Sequence, residues 1–425
     1  MTDCRFAQRV PDYVEGRLAG PDLGSFEEHL PGCADCAEQV RRLRKLDELL
    51  RDALRESKSI DVIARVEKAI EKRQSKPVRI RRRRLIHVAG AGLAAASVLV
   101  VLWLAGVFGH AQDPSRRALA DGSAWLMRTQ ESDGHWDSKA HGAGVNFDIG
   151  VTGLSVLALM ETHEKTNDPE ALGSAAKGAT WLTGQQDRLG RFLRSHDQSR
   201  MYGQAVATLA LLRVYEKQPG EALRTSIEKA LAFGVLAQSK AGGWSYVPGI
   251  TADTSHTGWF VLALSRARSD GFKVPETVIV DAIDYVNGMT DSDGQVSYNV
   301  PGNTHPGLTG TPIAVNMTMG ERVLPASGSS GVHASVRKLL DTPPDWNDRQ
   351  QSLYLWFFAS QGFKSVSRGA ELDDWMRDLA GTLVAHQDRS DTPDRGSWSN
   401  NDTPQADAGR IYSTSLALVC IAQSR

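Results

Sequence analysis

From Asp113 to Arg425 the chain repeats itself, and this periodicity restricts the fold more than any other feature. Trp136, Phe192, Trp244, Val296, Trp346 and Trp398 fall at intervals of 50 to 56 residues, which divides the region into six units. A unit of that length is one supersecondary element that cannot bury its own apolar face, so neighbours must stack. Each unit reads as a first helix, a Gly-x-aromatic turn, a polar loop and a second helix.

The second helices begin at Thr152, Tyr202, Thr257 and Thr309, with two more near Ser352 and Tyr412. They are apolar on every side, as in Thr257-Gly-Trp-Phe-Val-Leu-Ala-Leu264. Helices of that kind must be buried, which predicts an inner layer surrounded by the first helices. The sequence therefore predicts an all-α fold for this region.

Upstream, residues 85–108 form a 24-residue stretch without Asp, Glu, Lys or Arg. At about 1.5 Å per residue such a helix spans roughly 36 Å, enough to cross a bilayer core. Lys76, Arg79, Arg81, Arg82, Arg83 and Arg84 crowd its N-terminal flank, in the segment 76–84. A basic cluster beside an apolar span sets topology, with the N-terminus in the cytoplasm and the C-terminal region outside. The alternative for the cluster is a nucleic-acid patch, but Lys plus Arg at 49 against Asp plus Glu at 50 gives no bulk field toward nucleic acid. The expectation is a single-pass protein of the bacterial inner membrane that does not contact nucleic acid directly.

Three of the four cysteines lie in the first 36 residues. His29-x3-Cys33-x2-Cys36, with Cys4 upstream, supplies four ligands of the thiolate and imidazole type that tetrahedral structural zinc takes. A metal-free C-x-x-C redox pair is the rival, without a βαβ pattern around it. Pro31 and Gly32 should end the helix that carries Phe26 and His29, and Cys33 and Cys36 should open the next. Beyond them, Val40, Leu43, Leu46, Leu50 and Leu54 recur at helical spacing, and Ile60, Ile63, Val66 and Ile70 form a second stripe. A head of residues 1–75 buries little core, so the first stripe is a candidate partner-binding surface. Packing of the two helices on each other, or dimerisation, is the alternative. Cys420 falls in an apolar helical run and reads as an inert buried thiol.

These motifs carry two resemblances. Residues 1–37 resemble the zinc-finger head of zinc-containing anti-sigma factors, through Cys4, Asp12-Tyr13-Val14-Glu15-Gly16-Arg17-Leu18, Phe26-Glu27-Glu28-His29-Leu30, Cys33 and Cys36. That resemblance implies one zinc and an extracytoplasmic-function sigma factor as partner. Residues 113–425 resemble the squalene-hopene cyclase and protein prenyltransferase superfamily. The QW-like segments Trp125-Leu126-x3-Gln130-x3-Gly134-x-Trp136 and Trp181-Leu182-x3-Gln186-x3-Gly190-x-Phe192 carry it. It implies a closed toroid of six helical hairpins, in which pairing of each Gln with its Trp stiffens the turn.

A cyclase of that superfamily needs an acidic D-x-D-D motif, and the matching stretch Ile250 to Ser255 keeps only Asp253. Prenyltransferase zinc ligands are missing too, so no catalytic residue is assigned and binding without turnover is expected. Of the loop residues that could converge on the mouth of the ring (His135, Asp148, Asp253, His256, Tyr298, His305, Arg410 and Tyr412), Asp253 and His256 are the candidate ligand-binding pair. The sequence thus reads as a membrane-anchored regulator whose outer toroid senses a ligand or envelope partner. A terpenoid-cyclase-like enzyme and a protein-binding scaffold are the alternatives.

Overall fold

The computed structural model describes residues 4–6, 9–14, 16–55, 113–194, 197–318, 330–365, 369–399 and 408–425. The apolar segment 85–108, the basic segment 76–84 and the Ile60 to Ile70 stripe lie outside the described residues. Among those described, no helix is long and apolar enough to cross a membrane.

The head contains α1 (Val10–Val14), α2 (Gly20–His29) and α3 (Ala34–Arg55), with a 3-10 turn at Leu30–Gly32 between the last two. Pro31 and Gly32 end α2 as the sequence predicts. The break turns the chain so that Cys33 stands at the entrance to α3.

The repeats fold as six hairpins. Their outer helices are α4 (Pro114–Thr129), α6 (Pro169–Gln185), α8 (Glu221–Leu236), α10 (Glu276–Gly288), α12 (Ser330–Leu340) and α14 (Ala370–Ala385). The inner ones are α5 (Asp148–Thr166), α7 (Arg200–Lys217), α9 (Thr254–Ser269), α11 (Thr311–Met317), α13 (Leu353–Ser365) and α15 (Gly409–Gln423). Each inner helix packs on the next, and α15 returns to pack on α5, while α14 meets α4 outside. The ring is therefore closed. In α15 every residue but Arg410 and Tyr412 is buried, as its apolar sequence requires.

Four of the six junctions, the closing one included, share one device. Gln130 Nε2 donates to Gly134 O at 2.8 Å in its own turn and to Ser174 O at 3.0 Å in the next outer helix. Gln186 reaches Ser226 O at 2.9 Å and Gln238 reaches Val278 O at 2.8 Å in the same way. In the last unit Gln387 donates to Gly396 O and, at 2.9 Å, to Ala118 O of the first outer helix. This corrects the expected Gln-Trp pairing. The tryptophans instead donate to the end of their own outer helix, Trp136 Nε1 to Leu126 O and Trp244 Nε1 to Gly234 O, both at 2.8 Å. The glutamine is left free to join units.

The turn glycine makes the junction possible. Gly396 has φ +97°, and a Cβ there would stand 2.3 Å from Asp121 O of the first outer helix. Only glycine allows both the left-handed backbone and the close approach. At the far ends of the inner helices an ion-pair network adds a second tie. Arg213 on α7 reaches Glu161 at 2.9 Å and Glu164 at 2.6 Å on α5, and Gln423 on α15 donates to Glu161 at 2.8 Å.

Gly396→Ala is expected to destabilise the protein by about 3 kcal/mol, through strained backbone and a forced opening of the ring seam. Gly249→Ala is the control: its φ is +72° but nothing lies within 4 Å, so backbone strain of about 1–2 kcal/mol is all it should cost. Thermal unfolding of the two variants checks this, and equal midpoints would show that the seam is not under the constraint described.

Candidate functional site

The head gathers one cluster of metal-ligating side chains. Cys4 Sγ and His29 Nε2 are 3.1 Å apart, Cys36 Sγ and Cys4 Sγ 3.7 Å, and the four ligand atoms of Cys4, His29, Cys33 and Cys36 all lie within 4.8 Å of one another. Around a tetrahedral zinc with Zn–S bonds of about 2.3 Å, neighbouring ligand atoms are roughly 3.5–3.8 Å apart. The donor set and spacing fit that ion. Phe6 stacks on His29 at 4.3 Å and Phe26 is fully buried beneath, so the imidazole is held in place by aromatic packing.

The thiols differ in their surroundings. The Cys36 backbone N–H, aimed at the Cys33 sulfur, holds that thiol below its ordinary value. Burial first, and then the neighbouring sulfurs, push Cys36 up to about 12. A metal must therefore displace a proton from Cys36, and its affinity falls as pH falls.

The described part of the α3 stripe is not exposed. Val40, Leu43 and Leu46 are buried, while the side chains of Leu50 and Leu54 are outside what the structure describes. Leu43 and Leu46 pack with Val14 of the head against Leu193, Phe233 and Pro248 of the toroid. Asp47 and Arg191 form an ion pair at 2.9 Å across the contact, and Arg17 donates to Leu193 O at 3.2 Å. The sequence predicts a free docking surface, whereas here the toroid covers it.

In the toroid, the N-terminal ends of the inner helices surround a cavity of about 520 Å³. Its walls are Val151, Leu154, Val206, Trp259 and Leu308, with Tyr202, Tyr246, Tyr298, Tyr354 and Tyr412 supplying hydroxyls. Tyr202 donates to Ser255 Oγ at 2.6 Å, which in turn donates to Tyr354 at 3.0 Å, so one hydroxyl chain links α7, α9 and α13. Burial pushes the Tyr202 and Tyr354 phenols well above their ordinary range, with the Asp253 charge adding to it.

Tyr298, His305 and Tyr412 converge on this mouth as their loop positions suggest. Asp253 and His256 do not line it. They stand behind Tyr202 and Tyr246, whose rings lie 3.6 and 4.4 Å from the imidazole. Asp253 is the N-cap of α9, accepting from His256 N at 2.8 Å, from Ser245 Oγ and from His256 Nδ1. His135 stacks on Trp181 outside, Asp148 accepts from the Ser138 and Asn146 side chains, and Arg410 pairs with Asp388 and Asp394. Cys420 is buried, and burial pushes its thiol up to about 12, which fits the inert role expected of it. The lining residues Tyr202, Tyr354 and Trp259 were legible only as apolar-helix residues. Their shared signal is a place in the first two turns of a second helix.

Residues 4–37 match a family model described as a zinc-finger. No curated protein matches the chain significantly. The chain is similar to the solved structure of an α-1,6-mannanase, GH76A of Salegentibacter sp. HEL1_6, with a TM-score of 0.55 and 13% identity over 73% of this chain and 98% of that one. It is also similar to a type II terpene cyclase, MstE of Scytonema, in complex with geranylgeranyl dihydroxybenzoate. There the TM-score is 0.52, with 11% identity over 73% of this chain and 97% of that one. At such identity these likenesses establish the helical toroid and nothing of its chemistry. The N-terminal segment is a zinc finger, with Cys4, His29, Cys33 and Cys36 as its zinc site.

The purified chain should carry one zinc in the head, released by chelator together with the helix signal of residues 4–55. Cys33→Ser should lose both, and metal content should fall as pH is lowered through the acid range. Retention of zinc by Cys33→Ser, read by metal analysis, would exclude this ligand set.

Proposed function

We propose that this chain is a membrane-anchored transcription regulator. Its cytoplasmic head holds an extracytoplasmic-function sigma factor, and its extracytoplasmic toroid receives a ligand or envelope partner. The observation that carries the reading is the zinc cluster inside a segment that matches a zinc-finger family of the anti-sigma type. The apolar stretch 85–108 and the basic cluster 76–84 support the anchoring.

Such a span separates head from toroid, so the Asp47–Arg191 contact and a spanning segment exclude each other. In the inserted protein the Val40, Leu43, Leu46, Leu50 and Leu54 stripe is free, and a helix of a sigma factor can take the place of Phe233 and Pro248. Docking is favourable because it takes from water the apolar face that the span keeps away from the toroid. An enzyme reading rests on fold likeness alone. Among the described residues, the cavity wall holds no carboxylate to act as an acid.

Affinity capture with the full chain in detergent should retain a sigma factor. Leu46→Asp should release it without changing zinc content; capture undiminished by this change would move the binding site elsewhere. Topology is tested separately by protease treatment of spheroplasts, in which residues 1–84 should be protected and the region after Asp113 digested. A disulfide formed in cells between Asp47→Cys and Arg191→Cys would put head and toroid on one side and refute the span.

A further inference from the structure

The toroid cavity has a chemical selectivity that its neighbours in the fold do not set. None of its described lining residues is Asp, Glu, Lys or Arg. The phenols of Tyr202 and Tyr354 are held protonated by burial, so they offer hydrogen bonds and aromatic faces but no charge. Asp148 and Asp197 behind the wall accept from the Ser138 and Asn146 side chains and from Ile149 N and Ser199 N, and Asp253 is consumed as the cap of α9 and is bonded by Ser245 and His256. Its charge is offset by the helix terminus on which it sits.

The rim continues the same pattern. Three of the loops around the mouth, residues 142–147, 242–252 and 294–310, contain no Asp, Glu, Lys or Arg. Val145, Tyr246 and Val300 are among the few large apolar side chains that the described surface exposes, at 44%, 47% and 56%. Val145 lies two residues before the lining residue Phe147, and Val300 lies between Tyr298 and Asn303, so all three surround one opening. The opposite mouth, by contrast, is lined by Glu161, Arg213, Glu216, Arg266 and Lys364. The charged side chains at the cavity end, among them Arg410 with Asp388 and Asp394, pair with one another and are not among the described lining residues.

We infer that the cavity binds an uncharged amphipathic small molecule, with an aliphatic or alicyclic body against Val151, Leu154, Val206 and Leu308 and a hydroxyl or carbonyl head among the tyrosines. A volume of about 520 Å³ suits a ligand of drug-like size. An ion entering this space would give up its hydration to walls with no countercharge, and that desolvation is what excludes it. This inference rests on the reading of the toroid as a ligand-receiving domain and supplies the class of ligand.

The test uses three probes of one length, octanol, octanoate and octylammonium, in equilibrium dialysis against the full chain in a nonionic detergent. Octanol should bind at one per chain and at least about tenfold more tightly than either ion. Asn303 is an exposed lining residue, and Asn303→Lys should raise octanoate to parity with octanol or above it. Binding of either ion to the unaltered chain as tight as that of octanol, or binding of none of the three, would overturn the inference. Sigma-factor capture is measured on the same preparations. Loss of selectivity with capture intact removes only the ligand class, whereas selectivity without capture removes the regulator reading.

Discussion

The junction of a glutamine amide with a left-handed glycine turn carries the architecture of the toroid. A helical hairpin of about 50 residues cannot bury its apolar face alone, and helix packing by itself leaves the angle between hairpins loosely set. The amide of Gln130, Gln186, Gln238 or Gln387 bonds its own turn and a carbonyl of an adjacent outer helix at once, so it fixes that angle. The glycine beside it lets the two backbones touch. Repeating one angle bends the stack, and the sixth hairpin meets the first. The closing contact from Gln387 to Ala118 has the chemistry of the internal ones, which is why the ring closes without a separate device.

Closure gives the inner helices a common direction, and this produces two unlike mouths. Their N-terminal ends surround a neutral space of tyrosine hydroxyls and aliphatic side chains. Their C-terminal ends carry the Arg213, Glu161 and Glu164 network. Basic side chains toward helix C-termini, such as Arg213 and Arg266, are favoured there by the helix dipole, and the carboxylates between them balance the charge. The network cross-links the inner helices at the polar mouth, and ion pairs at the other end, such as Arg410 with Asp388 and Asp394, are not among the described cavity lining. Asp253 shows how the division is kept, since its charge is turned inward to cap α9 rather than outward to the cavity.

The head solves its own problem differently. So short a segment cannot form an ample core, and the four ligands around one point replace what hydrophobic burial does not supply. Aromatic packing of Phe6 and Phe26 on His29 fixes the ring that the ion needs. What remains apolar is the α3 stripe, and it is covered by whatever surface is available to it. Here that surface is Leu193, Phe233 and Pro248 of the toroid.

Much of this was determined by the sequence. The interval of the aromatic turns fixed six hairpins, the apolar second helices fixed which layer is inside, and the spacing of Cys4, His29, Cys33 and Cys36 fixed the metal set. These are local patterns, in which a residue's chemistry depends on neighbours a few positions away. Tertiary structure alone decided the rest. It paired Gln130, Gln186 and Gln238 each with the outer helix of the following unit, brought Tyr202, Tyr298 and Tyr354 from three units to one cavity, and put Asp253 and His256 behind its wall rather than on it. It also covered Leu43 and Leu46, which look free when the head is read by itself. The physical reason is one of range: periodicity reports which face of an element is apolar, but what that face meets depends on the angle at which separate units close.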